Sequence, residues 1–457
     1  MKGVCFMKHE QWASKLGFIL ASAGAAIGLG AMWKFPYVAG TSGGGAFFLL
    51  FLFFALFLGY PLLVGEFTIG RHAQSDAILT YKKLAPNTYW FLTGWIGIVV
   101  SFIVLSFYSV VGGWILLYTV KAMTGQLSGL TQEEYGALFG SIISSPVEPL
   151  ISQFIFILLT IIVVASGIQK GIERASKWMM PALFVLFIVL VIRSLTLDGA
   201  MEGLKFLFVP DFSAITSSTI LFALGQAFFT LTLGVSVMVT YSSYLSKEHS
   251  LPKSAVSIVI LNIVIAMLAG MAIFPGIFTY GFEPGEGPAL VFIVLPAVFN
   301  QLPFGIFFLT IFLLLFLFAA LTSAFSMIEI IVAAIAKDDA KKRKTATWVI
   351  GILIFIVGIP SCLSFGAMSD VTFLGKTVFD LMDYVASNIL IPIGALCISL
   401  FISFKVPVNT LKEEMEQGSS IGQTFFKIWF FLIRYVTPVA IIIVFLDTLG
   451  LLNFLKS

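Results

Sequence analysis

The sequence has few of the residues from which soluble domains and enzyme centres are built. Only 11% of its 457 residues are charged, whereas a typical soluble domain carries about 25%. Its three cysteines and three histidines are scattered, and no His, Cys, Asp or Glu residues recur at the spacing of a transition-metal site. These shortages exclude a soluble globular class, a disulfide-stapled fold and a zinc-type centre.

The sequence is instead a succession of long apolar runs, with a mean hydropathy of +1.05. A membrane-spanning helix needs roughly 20 apolar residues. The runs are too continuous for a β-barrel, whose strands alternate in hydrophobicity over ~10 residues. They cover residues 14–38, 43–70, 90–123, 150–168, 176–196, 216–244, 254–277, 302–336, 346–364, 378–403 and 423–449. The pattern predicts an all-α membrane protein with eleven transmembrane helices.

Lysine and arginine are distributed unevenly between the two sets of loops. If the N-terminus is cytoplasmic, the cytoplasmic segments hold 19 of these 26 residues and the external segments hold 5. Because basic loops stay in the cytoplasm, we predict a multi-pass protein with its N-terminus inside and its C-terminus outside. The net charge of +3 therefore reflects membrane topology and does not indicate a nucleic-acid partner.

One short motif suggests an enzyme. GTSGG at residues 40–44 matches the G-x-S-x-G pattern of serine hydrolases and the G-x-S-G pattern of intramembrane proteases. A serine nucleophile needs a base within hydrogen-bonding distance. Ser42 is predicted at the external end of a span, whereas all three histidines fall in cytoplasmic segments. The geometry disfavours a protease, and we expect no enzymatic activity.

Two spans are interrupted by glycine at corresponding positions. The first contains AGAAIGLGAMWKFP (23–36) and the sixth contains GQAFFTLTLGVS (225–236). A break in a membrane helix persists only where it is buried or lines a cavity, and paired breaks are typical of a transport site. We predict one transporter domain over residues 1–457 with an inverted five-plus-five repeat. Residues 12–196 would form the first repeat, 216–403 the second, and 423–449 an extra helix.

Three segments, in the correct order, resemble one family. QWASKLGFILASAGAAIGLGAMWKFPYVAGTSGGGAFFL, GQAFFTLTLGVSVMVTYSSY and AALTSAFSMIE are similar to the first, sixth and eighth helices of neurotransmitter:sodium symporters. The resemblance implies a leucine-transporter-like fold and sodium-coupled uptake of an amino acid or amine by alternating access. It also implies a bacterial cytoplasmic-membrane protein, since eleven spans instead of twelve is a variation among bacterial members.

The resemblance implies where sodium would bind. The family's second sodium site uses two carbonyls of helix 1, together with a carbonyl and two hydroxyls of helix 8. Oxygen ligands suit a hard cation, so a complete second site is expected here. Its matching residues are Gly24, Ile27, Ala319, Thr322 and Ser323.

The family's first sodium site is incomplete in this sequence. Ala31 stands where the family has an asparagine, and a methyl group cannot coordinate a cation. Phe51 and Ala266 occupy positions that serve chloride or a balancing glutamate in other members. We therefore expect one sodium per cycle, with two as an open alternative, and neither chloride nor another metal. The other matching residues of this site are Ala26, Thr230 and Asn262.

By the same match, substrate would bind at the break of helix 1. Gly28 replaces the aspartate of monoamine carriers, which favours a substrate that brings its own carboxylate. Free backbone N–H groups and the helix dipole would hold that carboxylate. We expect a neutral, hydrophobic amino acid. The expected binding residues are Ala26, Gly28, Leu29, Gly30, Val104, Tyr108, Phe229, Thr232, Val235, Ser323, Ala324 and Met327.

The resemblance also assigns an outer gate and a release path. Lys34 would pair with Asp383 on the external side, with lysine in place of the family's arginine. Gly171 and Pro181 have the spacing that in this family lets helix 5 unwind at its cytoplasmic end. The alternative is a helix cap at Gly171 and a mild kink at Pro181.

The inner gate departs from the family pattern. His9 and Lys337 replace an arginine–aspartate pair and cannot form its salt bridge, whereas Trp12 and Tyr244 are retained. Histidine titrates near neutral pH. We therefore expect an inner gate that is looser or sensitive to pH.

Several alternatives stay open. A carrier of the same fold could be sodium-independent or proton-linked through Glu66 or Glu329, although both glutamates could equally be neutral hydrogen-bonding groups. A transporter-derived amino-acid sensor is the alternative from another class. The apolar segment 274–303, rich in Gly and Pro, is predicted to be re-entrant or lid-like. The lipid bilayer is an expected partner, and the sequence does not indicate an oligomeric state.

Overall fold

The computed structural model describes residues 10–282, 289–337, 339–419 and 421–452. In these residues the chain is helical apart from its connecting segments and one hairpin of two short strands, β1 (Thr372–Phe373) and β2 (Lys376–Thr377). The fold therefore rests on helix packing.

The helices follow one another with short connections. Those of the first half are α1 (Lys15–Ala26), α2 (Gly30–Thr41), α3 (Gly45–Ala73), α4 (Ala77–Leu84), α5 (Phe91–Met123), α6 (Gln132–Ser144), α7 (Glu148–Ala165), α8 (Ile168–Ser194) and α9 (Ala200–Phe208). Those of the second half are α10 (Ser217–Thr230), α11 (Val237–Ser243), α12 (Leu251–Tyr280), α13 (Leu290–Asn300), α14 (Gly305–Ala336), α15 (Ala340–Leu363), α16 (Val378–Phe404), α17 (Val408–Glu416) and α18 (Gln423–Thr448).

Nine of the described helices are long and apolar enough to cross a membrane: α3, α5, α7, α8, α12, α14, α15, α16 and α18. The bent pair of α1 and α2 makes ten. The predicted sixth span is divided between the two shorter helices α10 and α11. The all-α membrane fold is confirmed, whereas the count of eleven spans and the inverted repeat stay predictions.

The first predicted break lies between α1 and α2, whose axes are bent by 55°. Gly28 lies in this break. A Cβ there would stand 2.5 Å from Ser323 Oγ and 3.1 Å from Tyr108 Oη. Glycine at this position leaves room for the side chains of Ser323 and Tyr108, which come from other helices, and so permits the turn.

The second predicted break lies between α10 and α11. Thr232, Gly234 and Ser236 all have positive φ, at 53°, 86° and 57°. Non-glycine residues adopt this left-handed region at an energetic cost, and the surrounding structure must hold them there. The sequence signal for the break, a glycine among hydroxyl residues, thus coincides with strained backbone.

The helices run between two faces, which we call the N-terminal face, where α1 begins, and the opposite face. The two longest helices, α5 (33 residues) and α14 (32 residues), pack against each other. Helix α1 packs against α8, α12 and α14. The first break is therefore surrounded by protein, as a break at membrane depth requires.

At the opposite face a short helix crosses over the helix ends. Helix α13 is apolar and buried but too short to span a membrane. It belongs to the segment 274–303 that was predicted to be re-entrant or lid-like, of which residues 283–288 lie outside the described residues. Its Phe292 ring stacks on Phe139 of α6 with centroids 4.9 Å apart. Asn300 accepts a hydrogen bond from Gly129 N and donates one to Leu130 O, each at 2.9 Å. These contacts fasten α13 to the segment before α6.

At the N-terminal face a buried ion pair joins three distant segments. Arg71, at the end of α3, donates from Nε to Glu414 Oε1 of α17 at 2.6 Å. It also donates to the backbone carbonyls of Glu414 and His249. The side chains of Arg71 and Glu414 are 0% and 1% exposed. This pair links α3 to α17 and to the α11–α12 connection.

Replacing Glu414 with alanine is expected to lower the melting temperature strongly. The change leaves the Arg71 guanidinium buried without its carboxylate, and breaking such a pair typically costs about 3–5 kcal/mol. The matched control is Glu416→Ala, since Glu416 pairs with Lys412 at the exposed surface, where such pairs contribute about 0–1 kcal/mol. The measurement is thermal unfolding in detergent, and equal shifts for both variants would contradict the assignment.

Candidate functional site

Oxygen atoms from α1 and α14 converge at the centre of the bundle. The Thr322 hydroxyl lies 3.1 Å from Gly24 O and 3.0 Å from Ala319 O, and the Ser323 hydroxyl lies 3.0 Å from Gly24 O. A Cβ on Gly24 would stand only 2.9 Å from Thr322 Cβ, so glycine permits this approach. These contacts join four of the five predicted residues, and Ile27, the fifth, is the buried C-cap residue of α1. Neutral oxygens of this kind are ligands for a hard cation.

Asn262 of α12 lies at the predicted first sodium site. Its side-chain nitrogen donates to Thr230 O at 3.0 Å and to Ala26 O at 3.5 Å. Carbonyl oxygens only accept hydrogen bonds, so the amide must present its nitrogen to them. Ala31 is fully buried and offers only a methyl group. The NH₂ group of Asn262 thus supplies the partial positive charge that the carbonyl oxygens of Ala26 and Thr230 face.

A cavity of about 340 Å³ opens beside the first break. The expected substrate residues that line it are Ala26, Gly28, Leu29, Gly30, Val104, Tyr108, Phe229, Thr232, Val235, Ser323 and Met327. Ala324 does not line it and is fully buried. Each residue of a helix turns by about 100°, so Ala324 points away from the cavity that its neighbour Ser323 faces.

Sequence reasoning missed several aromatic residues of the cavity wall. Trp33 and Tyr37 of α2, Phe107 of α5 and Phe379 of α16 all line it. The spacing on α5 was a usable signal, because lining residues 104, 107, 108 and 111 follow the i, i+3, i+4, i+7 pattern of one helix face. The approach of α16 had no comparable signal in the sequence.

Side chains satisfy the backbone groups that the two breaks release. Thr232 Oγ1 donates to Ala25 O at 3.0 Å, which connects the two breaks directly. Gln226 Nε2 donates to Gly30 O at 2.7 Å. Glu66 of α3, fully buried, accepts a hydrogen bond from Gly234 N at 2.9 Å. One acidic side chain therefore holds the strained turn of the second break.

The predicted outer-gate residues border the cavity on the side toward the opposite face. Lys34 Nζ lies 4.4 Å from the centroid of the Phe229 ring, in a cation–π contact. Asp383 accepts a hydrogen bond from Ser387 Oγ at 2.7 Å. Both charges line the cavity, and among the described residues they form no ion pair within 4.0 Å. A neighbouring cavity of about 540 Å³ shares five lining residues with the first: Lys34, Tyr37, Phe229, Ser387 and Ile391.

On the N-terminal side, three aromatic residues join the segment before α1 to the end of α11. Trp12 donates from its backbone N to Tyr244 O at 3.0 Å and from its indole to Tyr241 O at 2.8 Å. The three rings meet edge to face, with centroids 5.3 and 6.3 Å from that of Trp12. Trp12, three residues before the start of α1, is thus fixed to the end of α11.

A buried network of charges lies beneath these rings. Arg343 of α15 binds both carboxylate oxygens of Glu329, and Tyr244 Oη donates to Glu329 Oε1 at 2.8 Å. Arg343 also lies 3.6 Å from Glu10, so an ion pair connects the segment before α1 to α15. Lys337 and Arg343 line the same cavity of about 240 Å³, and the Lys337 side chain is exposed. The predicted His9 lies outside the described residues.

The start of α8 is also tied to α1. Glu173 accepts hydrogen bonds from Ala13 N at 2.7 Å and from Ser14 Oγ at 2.9 Å. The helix begins earlier than predicted, at Ile168 after Gly167, whose φ is 94°. Gly171 therefore lies inside the first turn and does not cap the helix, and Pro181 lies within it.

Within the described part of the chain, no histidine lies near the serine of the GTSGG motif. Ser42 ends α2 at the opposite face, whereas His72 and His249, the histidines of the described chain, lie at the N-terminal face. Helix α3 alone, with 29 residues, separates the two faces, a length of roughly 44 Å at 1.5 Å per residue. The residues of a serine protease are therefore not brought together.

Similarity to known proteins agrees with this geometry. The model of the sodium:neurotransmitter symporter family matches residues 9–134 and 143–455. The chain is 64% identical to YhdH, described as an uncharacterized sodium-dependent transporter of Bacillus subtilis, with 98% of this chain and 99% of that one covered. It is 38% identical to a sodium-dependent transporter of Haemophilus influenzae, covering 97% and 98%.

A solved structure gives the same result at the level of the fold. The structure of MhsT in complex with L-phenylalanine matches with a TM-score of 0.88 and 45% identity, covering 96% of this chain and 100% of that one. The all-α membrane fold, the paired helix breaks and the family match agree with one another. The chain therefore belongs to the sodium:neurotransmitter symporter family.

Proposed function

We propose that the protein is a sodium-coupled symporter that takes up a neutral, hydrophobic amino acid by alternating access. The observation that carries the proposal is the position of Ser323. Its hydroxyl belongs to the oxygen cluster on Gly24, and it also lines the cavity at Gly28. An ion at the cluster and a substrate in the cavity would order the same break. Shared ordering of this kind gives the coupling free energy that symport requires.

A single sodium ion at the α1–α14 site is the proposed stoichiometry. Four oxygens of the α1–α14 site lie close together, whereas at the first site Ala31 supplies a methyl group in place of the family's asparagine oxygen. Chloride has no role in this proposal, because Phe51 and Ala266 are buried apolar residues at the positions where other members bind the anion or carry a carboxylate.

The cavity supports an amino acid with an apolar side chain. The backbone N–H groups near Leu29 and Gly30, at the start of α2, would receive the carboxylate with the Tyr108 hydroxyl. Val104, Val235 and Met327 would surround the side chain. The phenylalanine bound to the related MhsT supports this substrate class.

The contacts at the two faces support an alternating-access cycle. The Trp12, Glu10 and Glu173 contacts close the N-terminal face, and their release would let α1 move away from α8. At the opposite face, closure would bring Lys34 from the Phe229 ring to Asp383. The lysine and arginine bias supports an N-terminal face in the cytoplasm, a C-terminus outside, and a bacterial cytoplasmic-membrane location.

Proton coupling through Glu66 is the second candidate. Its carboxylate is fully buried, and Oε1 accepts a hydrogen bond from Gly234 N of the second break. A proton on this carboxylate would change the charge beside the strained turn. Uptake driven by a pH gradient without sodium, and lost in Glu66→Gln, would favour this candidate over the sodium symporter.

Replacing Thr322 with valine is expected to weaken sodium binding by about tenfold or more, because a buried hydroxyl oxygen is lost at nearly constant volume. The control is Thr160→Val on α7, since Thr160 is equally buried and bonds only to Phe156 O of its own helix. Sodium-dependent substrate binding is measured by scintillation proximity. A Hill coefficient clearly above one in the unaltered protein would contradict the single-ion proposal.

Replacing Gly28 with alanine is expected to abolish substrate binding, because the added methyl would stand 2.5 Å from Ser323 Oγ. Gly136→Ala on α6 is the control, since a Cβ there meets nothing within 4 Å. Binding is measured with a radiolabelled panel of amino acids and monoamines. Binding of a monoamine but of no amino acid would overturn the substrate class. Counterflow in liposomes separates a carrier from a sensor.

Replacing Glu10 with glutamine is expected to increase opening at the N-terminal face, because it removes one charge of the ion pair with Arg343. The reporter is Ser176→Cys in a background without native cysteines. Ser176 is buried on α8, one turn from Met180, which contacts the Gly24 position. A charged maleimide should label the cysteine at position 176 severalfold faster in the Glu10→Gln variant than in the control variant Glu248→Gln, which changes an exposed glutamate of the same face. Equal labelling rates would contradict the gate.

A further inference from the structure

An apolar groove opens on the outside of the bundle between α5, α14 and α15. It encloses about 490 Å³ and lies near the N-terminal face. Its wall consists of Trp95, Ile98, Val99, Phe102, Ile331, Ala334, Ile335 and Ile350, which come from these three spanning helices. The substrate cavity lies elsewhere, because the two cavities share no lining residue.

The groove is open toward the bilayer. Trp95, Val99 and Ile335 are 48%, 44% and 48% exposed although they lie on helices that cross the membrane. Trp95 is the fifth residue of α5 and Ile335 the last but one of α14, so this end of the groove borders the membrane–water interface, whereas Phe102 lies deeper along α5. The occupant of such a groove is therefore a lipid acyl chain rather than a water-soluble ligand.

The end of the groove toward the N-terminal face is positively charged. Lys82 of α4 and Lys337 at the end of α14 line this end, and both side chains are exposed. Among the described residues neither ammonium group has a carboxylate oxygen within 4.0 Å, although Lys82 Nζ lies 4.9 Å from the centroid of the Phe91 ring and Lys337 interacts electrostatically with Asp76. Asp76 is the acidic residue among the lining residues, and its carboxylate accepts hydrogen bonds from Ile78 N and Leu79 N as the N-cap of α4.

Further basic residues lie beside this charged end. Lys341 and Lys344 are exposed on the first turns of α15, and Arg343, between them, is buried in the network with Glu329. Basic clusters next to a spanning helix attract anionic lipid, with about 1 kcal/mol for each lysine near the surface. Trp95, an amphipathic ring half exposed at the same level, is typical of a membrane–water interface.

We propose that this groove binds an anionic phospholipid, with an acyl chain between α5 and α14 and its phosphate between Lys82 and Lys337. The apolar wall fits a chain, and the two ammonium groups fit a phosphate. A zwitterionic lipid would bring its own cation to these lysines. Inorganic phosphate would leave the apolar wall without an occupant.

The site adjoins the network that closes the N-terminal face. Asp76, Leu79 and Lys337 line both the groove and the charged cavity that contains Glu10 and Arg343. The lipid phosphate would therefore lie one layer of side chains from the gate. The lipid site does not depend on which substrate or how many ions the protein carries.

The experiment uses the full chain in mixed micelles with phospholipids brominated on their acyl chains. Bromine quenches nearby tryptophan, and the signal of Trp95 is the difference between the protein and its Trp95→Phe variant. We expect brominated phosphatidylglycerol to quench Trp95 at a concentration roughly thirtyfold lower than brominated phosphatidylcholine, given two lysines at the phosphate. Equal concentrations for the two lipids would overturn the proposal.

Two variants test the two parts of the site. Lys82→Gln/Lys337→Gln should remove the preference for phosphatidylglycerol, whereas Lys170→Gln/Lys427→Gln, which removes two exposed lysines elsewhere, should keep it. Ala334→Trp should fill the groove and prevent quenching with both lysines intact, whereas Val185→Trp on the exposed face of α8 should not. A preference that persists in the first variant, or quenching that persists in Ala334→Trp, would refute the site. Inorganic phosphate should not displace the lipid at equal concentration, and displacement would show that the groove contributes nothing.

Discussion

Breaking a helix inside a membrane leaves peptide groups that lipid cannot hydrogen-bond, each at a cost of several kcal/mol. The centre of this protein is organised around that constraint. The groups freed at the two breaks are hydrogen-bonded by side chains of other helices, namely Gln226, Thr232, Asn262, Thr322, Ser323 and Glu66. Of these, Thr232 and Ser323 line the candidate substrate cavity, and Asn262, Thr322 and Ser323 lie at the candidate ion sites. Stability of the breaks and binding at the breaks thus share some of these contacts.

Much of this arrangement could be predicted from the sequence because it depends on local composition. The apolar runs indicated the helices, and glycine at 24, 28 and 30 indicated where α1 must approach α14 and turn. In the first and sixth predicted spans, glycines within otherwise apolar runs indicated the two breaks. The cavity residues of α1, α5, α10 and α14 were expected from the family resemblance, and those of α1, α10 and α14 lie in the three segments that carry it. Ala324 does not line the cavity, since a motif match does not resolve which side of a helix a residue faces.

The inner face was not predictable in the same way. Arg343 stands in a run of four basic residues, and nothing in that run distinguishes the buried side chain from its exposed neighbours. Its partners Glu10 and Glu329 are far away in sequence, so only the packing of α14 against α15 brings them together. The positive charge of this network is thus Arg343 on α15, and its acidic partners are Glu10 before α1 and Glu329 on α14. Sequence matching at positions 9 and 337 alone indicated a missing salt bridge, although a network of ion pairs lies a few residues away.

The buried methyl group of Ala31, on which the proposed single-ion stoichiometry rests, bears on how steep a gradient such a carrier could build. One sodium ion that enters down a tenfold gradient and a potential of 100 mV releases roughly 3.7 kcal/mol. For a neutral substrate this supports an accumulation of roughly five-hundredfold, whereas two ions would support the square of that ratio. A carrier with one ion gives up concentrating power and uses half as much sodium for each molecule taken up.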